Sequence, residues 1–136
     1  MRNLKSVFVL AVASVVLAGV PAFAHHAVQA VFDQGKKITV AGEITKVEFI
    51  NPHSYISLNG KTPGGKMQLW SFELAGPGSL KRSGMSRADR GGLKPGDPVT
   101  IIGFPAKDGS AFGFVNEIHF ADGRVFVLDN KDPYAN

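Results

Sequence analysis

Short runs of alternating apolar and polar residues are the main pattern along this chain. Gly and Pro, 16 and 8 of the 136 residues, interrupt these runs every few positions. Alternation with a period of two is typical of half-buried strands, and Gly and Pro are typical of turns. The pattern predicts strands in five stretches: residues 36–50, 53–58, 66–74, 93–106 and 112–129.

The first of these stretches is long and changes phase once. Apolar residues fall at every second position up to Ile44 and resume at Val47. One extra residue moves the following side chains to the opposite face of a strand, so we expect a β-bulge or a bend here.

The last stretch has the pattern of a hairpin that turns at residues 121–123. We expect the large apolar residues of its first strand to share one face: Phe112, Phe114, Ile118 and Phe120. The opposite face then carries Glu117 and His119. Between the third and fourth strands, residues 76–85 are too rich in Gly and Pro for a strand, and Ser79 is the expected cap of a single helical turn.

Taken together, the order is a long bent strand, two strands, a short helix and two strands. This order predicts an all-β protein, a five-stranded OB-like Greek-key barrel with one short helix. An open β-sandwich is the alternative. The bent first strand favours the barrel, because it must serve both sides of the closure.

The N-terminal 24 residues have the features of an export signal. Arg2 and Lys5 precede an apolar run, Val7–Val20, and an Ala-x-Ala sequence ends at Ala24. The run is shorter than the ~20 residues of a membrane span. We therefore expect a cleaved signal peptide (1–24), an N-terminal tail (25–35), the barrel domain (36–130) and a flexible tail (131–136). The expected location is the periplasm, with no membrane span after cleavage.

Charge and cysteine content narrow the chemistry. Loss of Arg2 and Lys5 lowers the net charge from +4 to +2, and no Lys/Arg stripe is present, so nucleic acid is not an expected partner. The chain has no Cys, which excludes disulfides and thiolate ligands. Metal ligands would have to be His, carboxylate, backbone or Met groups.

All four histidines lie after the signal: His25, His26, His53 and His119. Cleavage before His25 would expose an α-amino group that chelates together with the His25 ring, and His26, His53 or His119 could add nitrogen ligands. Amine and imidazole nitrogens suit Cu(II), so copper is the expected cofactor if a metal binds. The alternative is that the adjacent pair is simply solvated and that His53 and His119 are ordinary hydrogen-bonding residues.

Two aromatic residues are candidates for contact with an organic ligand. Tyr55 shares the polar face of its strand with His53, whereas Ile56 has the opposite, apolar orientation. Trp70 is either a core residue or a stacking platform. The alternative function is therefore a metal-free module that binds a small ligand, a cell-wall saccharide or a partner protein. We find no catalytic arrangement, and a copper redox enzyme ranks below both functions.

Several motifs occur together over nearly the whole mature chain: His25-His26, Asn51-Pro52-His53-Ser54, Trp70 before the short helix, and the turn Leu93–Asp97. In this combination the chain resembles a family of small exported bacterial proteins of unknown function. The resemblance implies export and one β-rich domain, and it gives no activity. Two positions depart from the pattern of that family, which often has Trp at Tyr55 and tends to have Trp at Met85.

Overall fold

The computed structural model describes residues 25–85 and 93–128. The predicted signal peptide, the C-terminal tail and the segment 86–92 lie outside these residues. The described part contains two short helices, α1 (His25–Val31) and α2 (Pro77–Arg82). Six strands are present: β1 (Ile38–Glu48), β2 (His53–Lys61), β3 (Gln68–Ala75), β4 (Pro98–Pro105), β5 (Phe112–Phe120) and β6 (Val125–Val127).

Five of the strands close into a barrel in the order β1–β2–β3–β5–β4. Only the β3–β5 pairing is parallel, and the other pairs of the barrel are antiparallel. This is the predicted OB-like Greek-key barrel, with α2 between β3 and β4. The short strand β6 pairs only with β5 and extends the sheet beyond the closure.

The predicted bulge of β1 is confirmed, and it lets one strand serve two neighbours. The register with β2 shifts between Ile44 and Lys46. Before the shift, β1 also pairs with β4, as far as Glu43 opposite Pro98. After the shift it pairs with β2 alone.

The barrel interior is filled by the inward-facing residues of all five strands and closed at one end by residues of α2 and the loops. The fully buried members include Val40, Ile44, Ile56, Leu58, Phe72, Leu74, Leu80, Leu93, Ile101, Val115 and Ile118. The sequence alternation predicted these inward positions for β1, β2 and β3.

The prediction that the large apolar residues of β5 share one face is wrong. The register with β4 passes from Ile102 opposite Glu117 to Gly103 opposite Val115, so β5 has an extra residue at Asn116. This bulge turns Gly113 and Val115 inward, whereas Phe112 and Phe114 face out. Ile118 and Phe120 still face the core.

Two smaller predictions, one of a turn and one of a helix cap, have different outcomes. The turn at Pro95–Gly96 is confirmed, since the Asp97 amide donates to the Lys94 carbonyl at 3.2 Å and the Asp97 carboxylate accepts from the Lys94 amide at 3.1 Å. The prediction that Ser79 caps α2 is wrong. Gly76 is the N-cap and Pro77 opens the helix, because proline suits the first helical position.

Candidate functional site

The loop between β1 and β2 positions His53 through close backbone packing. The Asn51–Pro52 peptide is cis, and the loop lies against Gly76 at the start of α2. A Cβ atom on Gly76 would come within 2.5 Å of the Pro52 carbonyl oxygen. His53 follows as the first residue of β2, so its backbone is fixed both by this contact and by pairing with Ala75 of β3.

His53 contacts Glu73 on the outer face of the barrel. Its Nδ1 atom lies 2.6 Å from Oε1 of Glu73, and the two side chains are only 20% and 11% exposed. Burial raises the pKa of the Glu73 carboxyl, and the positive charge of His53 offsets part of that rise. A carboxylate in this position orients the imidazole and sets its tautomer.

Tyr55 lies on the same outer face as His53 and Glu73, as the alternation of β2 predicted. It lies directly between Glu48 of β1 and Glu73 of β3. The pKa of the Tyr55 phenol is raised, first by burial and then by the negative charges of Glu73 and Glu48. The phenol therefore remains protonated at neutral pH and can donate a hydrogen bond.

An aromatic anchor ties the N-terminal segment to the same side of the barrel. Phe32, 2% exposed, packs its ring 5.1 Å from that of Phe112 and 5.6 Å from that of Phe114. The backbone of this segment also pairs with the end of β4, because the Asp33 amide donates to the Pro105 carbonyl at 2.9 Å. In the β3–β5 register, Phe114 is opposite Glu73.

Neither Glu73 nor Phe32 was predicted from the sequence as part of the site. A glutamate on an alternating strand is expected to be solvent-exposed. Pairing with β2 places Tyr55 on one side of Glu73, and the closing β3–β5 pairing places Phe114 on the other. The sequence did contain one signal for the orientation of Glu73. Alternation places it on the same strand face as Ser71, opposite to Phe72.

His119 belongs to a different pair of residues. Its Nε2 atom lies 2.9 Å from Oε2 of Glu117, which is also 3.9 Å from the Lys37 ammonium group. His53 and His119 thus contact separate carboxylates on separate strands. Among the described side chains of residues 28–85 and 93–128, no three His, Asp or Glu groups are gathered as a metal site would require.

The remaining predicted residues are placed as follows. Trp70 is 7% exposed and belongs to the core, where its ring stacks on Phe72. It therefore does not present its ring as a surface platform. His25 and His26 open helix α1.

A pocket of about 350 Å³ lies beside the Asn51–Pro52 loop. Its other lining residues are Gly76, Gly78, Ser79 and Arg82. The Arg82 guanidinium donates to the Ser79 hydroxyl at 3.0 Å. The pocket adjoins the strand start that carries His53.

Within the part of the chain that the structure describes, no helix combines the length and the apolar content that a bilayer crossing requires. No curated protein matches this sequence. The model of one protein family matches residues 11–116, which include the Asn51–His53 motif, Glu73 and Phe32. The chain therefore belongs to DUF6152, a family of unknown function.

Proposed function

We propose that the chain is exported to the periplasm, is cleaved after Ala24 and binds one Cu(II) ion. The ligands are the α-amino group and Nδ1 of His25, a second nitrogen from His26, and Nε2 of His53. The role is to carry or buffer copper. Amine and imidazole nitrogens are strong copper ligands, and copper stands at the top of the divalent affinity series.

The observation that carries this proposal is the convergence of Phe32 and His53 on one side of the barrel. Phe32 packs on Phe114, Phe114 is opposite Glu73, and Glu73 contacts His53. Phe32 is seven positions after His25, a span of about 10 Å in a helix and about twice that when extended. The proposal requires this span to bring the mature N-terminus to His53.

Glu73 prepares His53 for metal binding in this proposal. Because Nδ1 of His53 is engaged by Glu73, the ring would coordinate through Nε2. A carboxylate on the distal nitrogen raises the basicity of the ligand and fixes its orientation, and loss of such a partner typically lowers metal affinity 10–100-fold.

The test is a Cu(II) titration of protein whose N-terminus has been shown by intact mass to be His25, followed by electron paramagnetic resonance and calorimetry. We expect one tightly bound ion in a nitrogen-rich site. His25→Ala and His53→Ala should each weaken binding at least tenfold, and one residue added before His25 should do the same. His119→Ala is the matched control and should change affinity less than about twofold.

Two results would end this proposal. If His53→Ala leaves affinity and spectrum unchanged, the ion is held by the N-terminus alone and the barrel has no part in it. If the exported protein begins at another residue, the amino-terminal chelate does not exist.

A second candidate function is supported by the pocket beside the Asn51–Pro52 loop. A metal-free module would bind a small polar ligand there, such as a cell-wall saccharide, with Tyr55 on the adjoining face and Arg82 in the pocket wall. Thermal-shift titration of the copper-free protein with saccharide fragments distinguishes the two functions. Stabilisation that is lost in Arg82→Ala and kept in His25→Ala would favour the ligand module.

A further inference from the structure

The outer face of β1, β4, β5 and β6 carries two parallel rows of residues with few charges. The strand registers align the first row as Thr39, Ile102, Glu117 and Val127. They align the second row, two residues further along each strand, as Ala41, Thr100, His119 and Val125. We call these the Glu117 row and the His119 row.

This face is apolar at its outer edge and nearly uncharged at its centre. Val125 and Val127 are 50% and 56% exposed. The only ionisable side chains of the two rows are Glu117 and His119, which contact each other at 2.9 Å. A groove of about 470 Å³ crosses the face, with Ala41 and Thr100 among its lining residues.

Two opposite charges mark the ends of the face on β1. Lys37 lies two residues before Thr39 of the Glu117 row, and Glu43 lies two residues after Ala41 of the His119 row. Six residues separate them, about 20 Å along a strand. Both are exposed, and Lys37 has only a 3.9 Å contact with Glu117.

We propose that this face binds a second copy of the chain through a two-fold axis. The axis lies in the plane of the interface, runs across the strands and passes between the two rows. It stacks β1 on β1 of the second copy with the strands antiparallel.

The charge pattern is self-complementary in this arrangement. The axis places the Glu117 row of one copy over the His119 row of the other, so Glu117 meets His119 twice. It also places Lys37 over Glu43 of the second copy, again twice, and Val127 over Val125. A two-fold axis along β1 would instead place Lys37 over Lys37, so the charges select the crosswise axis.

The size of the face predicts a weak dimer. Four strands spaced ~4.8 Å apart and the ~20 Å between Lys37 and Glu43 give roughly 300 Å² in projection. Stable interfaces bury about 800 Å² on each partner. We therefore expect association in the micromolar range or weaker, and because His53 lies elsewhere, on β2, the dimer is independent of copper.

The experiment is sedimentation velocity of the metal-free mature protein from about 5 μM to 1 mM. Wild type should shift from monomer to dimer. Lys37→Glu and Glu43→Lys should each weaken dimerisation at least tenfold, and the double exchange Lys37→Glu/Glu43→Lys should restore it to within about threefold. Circular dichroism melting checks that every variant is folded.

Further variants separate this face from general stickiness. Val127→Asp should abolish the dimer without touching Lys37 or Glu43. Leu69→Asp, an exposed apolar position on β3 outside the face, should leave it intact. A wild type that stays monomeric to 1 mM, or a double exchange that dimerises no better than the single variants, would overturn the proposal.

Discussion

Glu73 shows how a single carboxylate acquires its properties from its neighbours. Its side chain is 11% exposed and its pKa is raised by burial, while the charge of His53 acts in the opposite direction. The pKa of Tyr55 on the neighbouring strand is raised first by burial and then by negative charge, including that of Glu73. A buried carboxylate of this kind costs folding free energy when ionised, unless the imidazole compensates.

Folding stability should therefore depend on the ionisation of Glu73. Its pKa is higher in the folded protein than the unfolded value of 4.5, so the folded state binds the proton more tightly. This stabilising contribution is complete below pH 4.5 and is lost as pH rises through the folded-state pKa. The slope is at most about 1.4 kcal/mol per pH unit for one proton.

Urea unfolding of wild type and Glu73→Gln between pH 4 and 8 measures this contribution. The amide keeps an acceptor for His53 and cannot ionise, so wild type should lose stability relative to Glu73→Gln as pH rises. Glu43→Gln removes an exposed carboxylate and is the control for charge alone. A difference between wild type and Glu73→Gln that does not change with pH contradicts the assignment.

At the scale of elements, the two bulges show what alternation alone can and cannot predict. In β1, the apolar phase visibly slips between Ile44 and Val47, so the bulge was predicted. In β5, the bulge at Asn116 lies among residues whose phase looks continuous, because phenylalanines occupy outward positions as well. Phe32 covers the outward-facing rings of Phe112 and Phe114. The sequence pattern of β5 alone does not indicate this contact.

The contact between α2 and the β1–β2 loop predicts opposite effects for two neighbouring glycines. Gly76→Ala places a Cβ 2.5 Å from the Pro52 carbonyl oxygen, and overpacking of this kind typically costs about 1–3 kcal/mol. Gly78, whose Cβ would meet only the Arg82 guanidinium at 3.7 Å, lies inside the helix. Gly78→Ala should therefore stabilise the protein by about 0.5–1 kcal/mol.

Chemical denaturation of both variants checks this prediction. Gly76→Ala should also weaken copper binding if the loop sets the position of His53, whereas Gly78→Ala should leave it unchanged. Equal stabilities of the two variants would show that the loop moves to accommodate the added Cβ without a loss in the free energy of unfolding.

For the whole molecule, the notable feature is that residues 31–33, ahead of β1, are bound to the outside of the barrel. The number, order and alternation of the strands were sufficient to predict the barrel, although the inward face of β5 was predicted wrongly. They were not sufficient to predict this attachment, because Phe32 lies outside the alternating strand segments and its partners lie some 80 residues later.

Removing the anchor should loosen the N-terminal segment and leave the barrel closed. Phe32→Ala leaves the rings of Phe112 and Phe114 uncovered, and buried Phe→Ala changes cost about 3–5 kcal/mol in a core; we expect the lower end or less, because the barrel interior is untouched. Amide hydrogen exchange should rise at Asp33 and Lys107, whose amides bond across this junction to Pro105 and Val31, with little change at Ile56. Phe32→Leu should retain most of the protection, and Leu69→Ala, at a position 64% exposed, should have no effect. If Phe32→Ala exposes the amides of β2 to the same extent as those of Asp33 and Lys107, the anchor is part of the global folding unit of the barrel, and this prediction is wrong.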